Sequence, residues 1–232
     1  MILFIDMLKP RGALVFSSFV LLSTLLFGPK LSRAGVIVET QYPGGYQEIE
    51  IIQGHKEKVE TVYPSETKDP LTLVKGNSVW DVYDLDKGTN TEIDYADKSY
   101  RVTPYPQEDP TPPAAEFFRS TGKRRKILGY WCKEFRADVE SAKYGKWTEF
   151  EWVSSEPPGA KEYIEYEKLA NSKLVKAGDE SPGDEPDGFV LESRSEDYDG
   201  NNEGPRITHI ESKPIPPSEF EPPAGFVKDK SP

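Results

Sequence analysis

The chain has 232 residues, 21 of them proline, and its 40 acids against 29 bases give a formal net charge of −11. A surface this acidic repels phosphate backbones, which argues against nucleic acid as a partner and equally against peripheral docking on anionic lipid headgroups. Cys132 is the only cysteine, so no intramolecular disulfide can form and stability has to come from packing.

Residues 1–34 read as a signal peptide. An apolar run from Ala13 to Phe27 follows Lys9 and Arg11, stops at Gly28-Pro29, and leads to Ser32-Arg33-Ala34, with a small residue at both positions a leader peptidase inspects. Spanning a bilayer takes about 20 apolar residues. This run is 15 long and carries four hydroxyl side chains, so cleavage near Ala34 is expected over retention as an uncleaved N-terminal anchor. Asp6 is out of place in a leader, and Met7 offers an alternative start. Cutting removes Lys9, Arg11, Lys30 and Arg33 but only one acid, Asp6, and moves the formal charge from −11 to −14 over the remaining 198 residues. The expected location is the periplasm or the exterior.

Beyond the leader, residues 35–227 read as a single domain, followed by a flexible tail at 228–232. Short runs with period-two alternation recur between turn residues, the pattern of antiparallel sheet. Val36 and Val38 open the first and Ile49 and Ile51 share a face of the second; Val59, Thr61 and Tyr63 form the third. Trp80 and Val82 share a face in 79–84, then Thr91, Ile93 and Tyr95, then Tyr100 and Val102, a meander of hairpins. Five prolines (104, 106, 110, 112, 113) break the pattern, because proline lacks the donor a ladder needs. The stretch 104–126 therefore reads as a surface loop, with at most a helical turn at 114–118. It ends in Lys123-Arg124-Arg125-Lys126, the one basic cluster after the leader. A solvated strand approach is its ordinary explanation; a contact with an acidic partner or a lipid phosphate is the sharper one.

Sheet resumes at Ile127, where Trp131, Lys133, Phe135 and Ala137 alternate with Tyr130, Cys132 and Glu134. Within such a strand Cys132 reads as a small buried hydrophobe, against a free thiol or an intermolecular link. A turn at 144–146 leads to a strand at 147–153 with Phe150 and Trp152 on one face, ended by Pro157-Pro158-Gly159. The spacing predicts a helix over 163–175, an acidic loop over 178–188, and a strand beginning with Phe189, Leu191 and Ser193. A last strand at 206–213 pairs with it across 197–204. The proline-rich end from Pro214 to Phe226 cannot be a central strand; it is expected to lie extended across the sheet with Phe220 and Phe226 as plugs.

Three stretches carry a resemblance: Gly76-Asn-Ser-Val-Trp80 running into Tyr83-Asp84-Leu-Asp-Lys-Gly88, then Ile127-Leu-Gly-Tyr-Trp-Cys-Lys-Glu-Phe135, then 214–226. Together they resemble a bacterial envelope domain-of-unknown-function family, similar in fold to the periplasmic carriers of outer-membrane lipoproteins (Lol type). The resemblance implies a mainly β (α+β) fold: a curved antiparallel incomplete β-barrel with one or two helices over its open side, whose apolar hollow takes an acyl chain. The carriers' functional arginine has no matching position, so lipoprotein carriage is not transferred. Trp80, Val82, Phe135, Phe150, Trp152, Phe189 and Leu191 are the candidate lining of an apolar groove. The alternative use of these rings is to fill the core.

No constellation for catalysis assembles. His55 and His209 are the only histidines, and neither has a nucleophile and carboxylate at triad spacing. No phosphate loop, zinc spacing or cysteine pair occurs, so neither cofactor nor metal is expected. The Asp84-x-Asp86-x-Gly88 and 197–203 stretches fit turn chemistry rather than a calcium loop. The expectation is a non-enzymatic exported protein that binds an apolar or lipid-like ligand, a lipid or acyl chain. The alternative is a periplasmic interaction module or scaffold that meets an envelope protein through its acidic surface and its proline-rich loops, 104–113 and 178–186.

Overall fold

Alternation builds this molecule, and in the middle of the sheet both phases of the alternation are apolar. Along the first strand Val36 and Val38 are buried on one side while Ile37 packs on the other; Ile52 and Ile51 repeat the arrangement next door. A strand covered on both faces reads as a continuous apolar run, which is how 36–38 and 51–52 are written.

The computed structural model describes residues 34–64, 78–105, 118–141, 145–174, 186–197 and 200–229. Residues 1–33 of the expected leader, the prolines at 106–113 and most of the acidic 178–188 stretch lie outside them. In chain order come β1 (Ala34–Gln41), β2 (Gln47–Gln53), β3 (Lys56–Val62), β4 (Ser78–Asp84), β5 (Thr89–Asp94) and β6 (Ser99–Pro104). They are followed by β7 (Arg119–Ile127), β8 (Tyr130–Ser141), β9 (Gly145–Ser154), the helix α1 (Ala160–Leu174), β10 (Phe189–Asp197) and β11 (Gly200–Pro214). A 3-10 turn (Pro217–Phe220) and β12 (Val227–Lys228) complete the described chain. All strands join one sheet in the order β12-β6-β5-β4-β3-β2-β1-β11-β10-β9-β8-β7, antiparallel except where β12 runs parallel to β6. The two ends of that order are not bonded to each other, so the sheet is open. The protein is mainly β with one described helix.

Two meanders thus flank a central seam. β1 to β6 form one, β7 to β11 the other, and β1 pairs with β11 from Ala34↔Pro214 to Gln41↔Arg206. α1 lies against β1, β2 and β10, over that seam, and defines the helix face. Gly159 sets how closely it lies: with φ at +82° a Cβ there would stand 2.8 Å from Val36 Cβ and Cγ2. Ala160 and Ala170 continue the close approach, Tyr163 stacks at 4.3 Å from Phe189, and Glu162 accepts a 2.6 Å hydrogen bond from the Gly54 amide. The helix begins three residues before its predicted start. No Ser, Thr, Asp or Asn marks its N-terminus; Pro157 O accepts from Ala160 N at 3.2 Å instead, a signal written in the backbone.

The opposite, back face is covered by the chain's end. Ile215 and Phe220 are buried there with Val82 and Ile93, and Phe226 meets Tyr95 edge-on at 5.1 Å. The expected crossing with Phe220 and Phe226 as plugs is what occurs. Lys58, only 2 % exposed, stands beneath it with its ammonium 3.4 Å from the Trp80 ring centroid and 3.2 Å from Glu219.

Two expectations are corrected. The 104–126 stretch is not loop throughout: Arg119–Ile127 is β7, the edge strand of the sheet. Almost every side chain in β7 is exposed on both faces, so it carries no apolar alternation to read. The β10–β11 hairpin is also tighter than expected, pairing Asp197 with Gly200, so residues 200–205 are strand instead of connection.

Candidate functional site

On the helix face, the meander side of the seam is acidic. Register places Glu50 opposite Val38 and Val59, and Glu57 opposite Ile52 and Tyr83, so these carboxyls stand on the same face as the buried Val38 and Ile52. Glu48 lies one pleat beyond Glu50. α1 supplies Tyr163, Tyr166 and Glu167 from above, and Tyr83 and Tyr105 pack at 4.9 Å along the floor. Tyr166 donates to Glu57 Oε2 at 2.9 Å and Tyr42 to Glu48 Oε2 at 2.6 Å; Asn90 donates to Asp81 Oδ1 at 3.0 Å. Glu48, Glu50, Glu57 and Asp81 are each half-buried, a floor that solvent still touches.

Burial raises the Glu50 pKa to about 8, with Glu57, Glu167 and Glu48 adding like-charge repulsion. Burial also raises Glu57 to about 7; the Tyr166 hydrogen bond opposes this, while Glu167 and Glu48 reinforce it. Asp81 is raised by burial and by Glu92, against its bond from Asn90. The same burial lifts Tyr163, Tyr166 and Tyr83 above the ordinary phenol value, with Glu50 or Glu57 contributing, so the rings remain hydrogen-bond donors. Among the described residues, every charged neighbour acting on Glu50 and Glu57 is itself an acid. Such a basin holds protons near neutrality and gains most from an incoming cation.

Across the seam the same face is built differently. Arg125 lies 4.1 Å over the Trp152 ring and is bonded to Glu192; Arg194 lies 3.8 Å over Phe150 and is bonded to Glu196. Glu134, buried, accepts from Thr121 at 2.8 Å and from Lys123 at 2.9 Å. Burial works to raise its pKa, yet the bonds from Lys123 and Thr121 and the charges of Lys123 and Arg194 outweigh it and hold the carboxylate below its usual range.

The seven groove candidates do not meet. Trp80 and Val82 are on the back face under Phe220, whereas Trp152, Phe189 and Leu191 belong to the cluster beneath α1. Phe150 lies under Arg194, and Phe135, half-buried, pairs with Glu151 on the back face. The cleft of about 380 Å³ at the far end of β8 and β9 is lined by Asp138, Val139, Glu140, Lys146, Trp147, Thr148 and Glu196, a mixed polar and apolar setting that holds none of the seven. His55 sits in an exposed turn 2.8 Å from Asp86, and His209 is exposed on β11. Cys132 is a free, buried thiol whose pKa burial raises. Among the described residues no group of three acids, histidines or cysteines is placed to hold a metal, and no helix is long and apolar enough to cross a membrane.

The acid–tyrosine basin escaped sequence reading, which named Ile49 and Ile51 on that strand and did not single out Glu48 or Glu50. Only the docking of α1 makes them interior. No family model matches the chain, and no curated protein is similar enough to count as a match.

Proposed function

We propose that this is a non-enzymatic exported binding module that receives a cationic segment of a partner protein in the acid–tyrosine basin beside α1. The observation that carries the reading is the pair Glu50 and Glu57, half-buried on one face, with only acids for charged neighbours among the described residues. A lysine or arginine side chain laid across them supplies the missing counter-charge, and Tyr42, Tyr83 and Tyr163 offer ring faces for its stem or guanidinium. Localisation in the periplasm or outside the cell, after loss of residues 1–34, belongs to this reading. So does kinship with the lipoprotein-carrier-like envelope fold, which one helix laid on an open antiparallel sheet supports. A lipid or acyl ligand is the weaker use, since the candidate apolar residues divide between two faces that the chain's own helix and C-terminal segment cover.

A short arginine-rich peptide provides the test. Its affinity should rise between pH 6 and pH 9 as the two carboxyls lose their protons, and binding at pH 7 should release protons to the buffer. Glu50→Gln with Glu57→Gln should weaken binding at least tenfold at pH 8. Equal affinity of the wild type and this double variant would remove the basin from the function.

A further inference from the structure

The hairpin joining β7 and β8 has a tip that packing does not explain. Its turn residues are Leu128 (φ +51°) and Gly129 (φ +89°), flanked by the pair Ile127↔Tyr130, the two-residue turn in which both central positions need positive φ. A leucine there costs about 1 kcal/mol that glycine or asparagine would not. Leu128 joins neither apolar cluster and is 44 % exposed; Trp131, three residues on, is 48 % exposed.

Around this apolar tip the back face is basic. The registers Lys126↔Trp131 and Arg124↔Lys133 put all four side chains on one face, with the Lys126 ammonium 5.2 Å and the Arg124 guanidinium 5.8 Å from the Trp131 ring centroid. Their neighbours on the other face are engaged, Arg125 with Glu192 and Lys123 with Glu134. Arg124, Lys126 and Lys133 have no ion-pair partner among the described residues. One acid reaches the tip itself: Glu156 accepts from the Trp131 amide at 2.9 Å.

We propose that this tip docks on the headgroup layer of an anionic phospholipid bilayer, with Leu128 and Trp131 entering the interface and Arg124, Lys126 and Lys133 meeting the phosphates. An indole ring with an aliphatic apex and cations set just behind it matches the layering of that interface. The acids that touch this end of the sheet are engaged, Glu192 by Arg125, Glu134 by Lys123 and Glu156 by the Trp131 amide, and the acid-rich basin is distant. The basin at β2 lies six strand spacings from β7, roughly 29 Å, more than three Debye lengths of about 8 Å at physiological salt. Strand addition by an acidic protein is disfavoured because the ladder of β7 is broken between Ser120 and Arg124, with Gly122 at φ +80°.

Vesicle flotation tests this. The protein should float with phosphatidylcholine–phosphatidylglycerol vesicles, more weakly with phosphatidylcholine alone, and less as salt rises. Arg124→Gln with Lys126→Gln should weaken binding by about 25-fold, near fivefold for each cation lost. Leu128→Gly should weaken it about fivefold without lowering Tm, because glycine suits the turn; that separates docking from folding. Brominated lipid should quench Trp131, and the quenching should drop in Trp131→Phe. Wild-type flotation no stronger than that of the Arg124/Lys126 double variant, or quenching unchanged in Trp131→Phe, overturns the proposal. So does tight binding of poly-glutamate with no preference for vesicles, which would assign the tip to an acidic protein.

Discussion

One face of one sheet holds buried and half-buried glutamates under opposite electrostatic regimes. Beside α1, Glu50 and Glu57 have acids around them and their pKa values are raised to about 8 and 7; across the seam Glu134 has Lys123, Thr121 and Arg194 and stays ionised below its usual range. Burial acts in the same direction at all three. What differs is whether the neighbouring strand brings a cation, and that is a matter of register. The contrast teaches that a carboxylate with its own counter-charge is a structural part, while one held without it is open to a visitor.

Gly159→Ala should have the largest effect, because a Cβ at φ +82° strikes Val36 and lifts the start of α1. A loss of about 2–4 kcal/mol is expected by denaturant unfolding. In whatever remains folded, the Glu57 carboxyl should titrate nearer its ordinary value while Glu134 is unmoved. Equal movement of both in carboxyl-resolved NMR would mean the two regions are not independent.

Lys123→Met comes next. It leaves the buried Glu134 carboxylate with the Thr121 hydrogen bond and the more remote charge of Arg194, and because Lys123 is itself largely exposed the loss is set at about 2 kcal/mol near pH 7. Glu134→Gln in the same background should restore part of it. The pH dependence has opposite signs on the two sides. Glu50 and Glu57 have folded pKa values above the unfolded value near 4.5, so their contribution is full below about pH 4.5 and lost as pH rises through about 7 to 8. Glu134 is depressed; its contribution is present above the unfolded value and lost as pH falls through the folded one. Glu50→Gln should therefore raise stability at pH 9 and change it little at pH 4. A flat difference across that range would contradict the raised pKa. The smallest effect belongs to Tyr166→Phe, which removes the bond holding Glu57 down and should move its titration upward by less than one pH unit.

The two regions were not equally legible. β1 to β6 could be read because their apolar residues alternate between turns that carry glycine, proline or aspartate, and the hairpins are local. Trp80 and Val82 were seen to share a face, and Phe220 and Phe226 were expected as plugs on the sheet, because a proline-rich segment with two rings has few other uses; which face they cover was not legible. β7 was hidden because a sheet edge exposed on both sides writes no pattern. The basin was hidden for another reason: Glu48 and Glu50 become interior only when residues 160–174, more than 100 positions later, dock above them. Local spacing says which side chains share a face but not what will cover it.

The seam between β1 and β11 has a consequence for how the molecule is made. Residue 34 sits opposite residue 214, so neither meander can find its neighbour until nearly the whole polypeptide is present. Pairings this distant in sequence make for slow folding. In the interval the β1 edge, with Val36 and Val38, stands bare as a template for other chains. A polypeptide shortened before residue 206 would be left permanently at that stage, and should be recovered as aggregate instead of a smaller soluble domain.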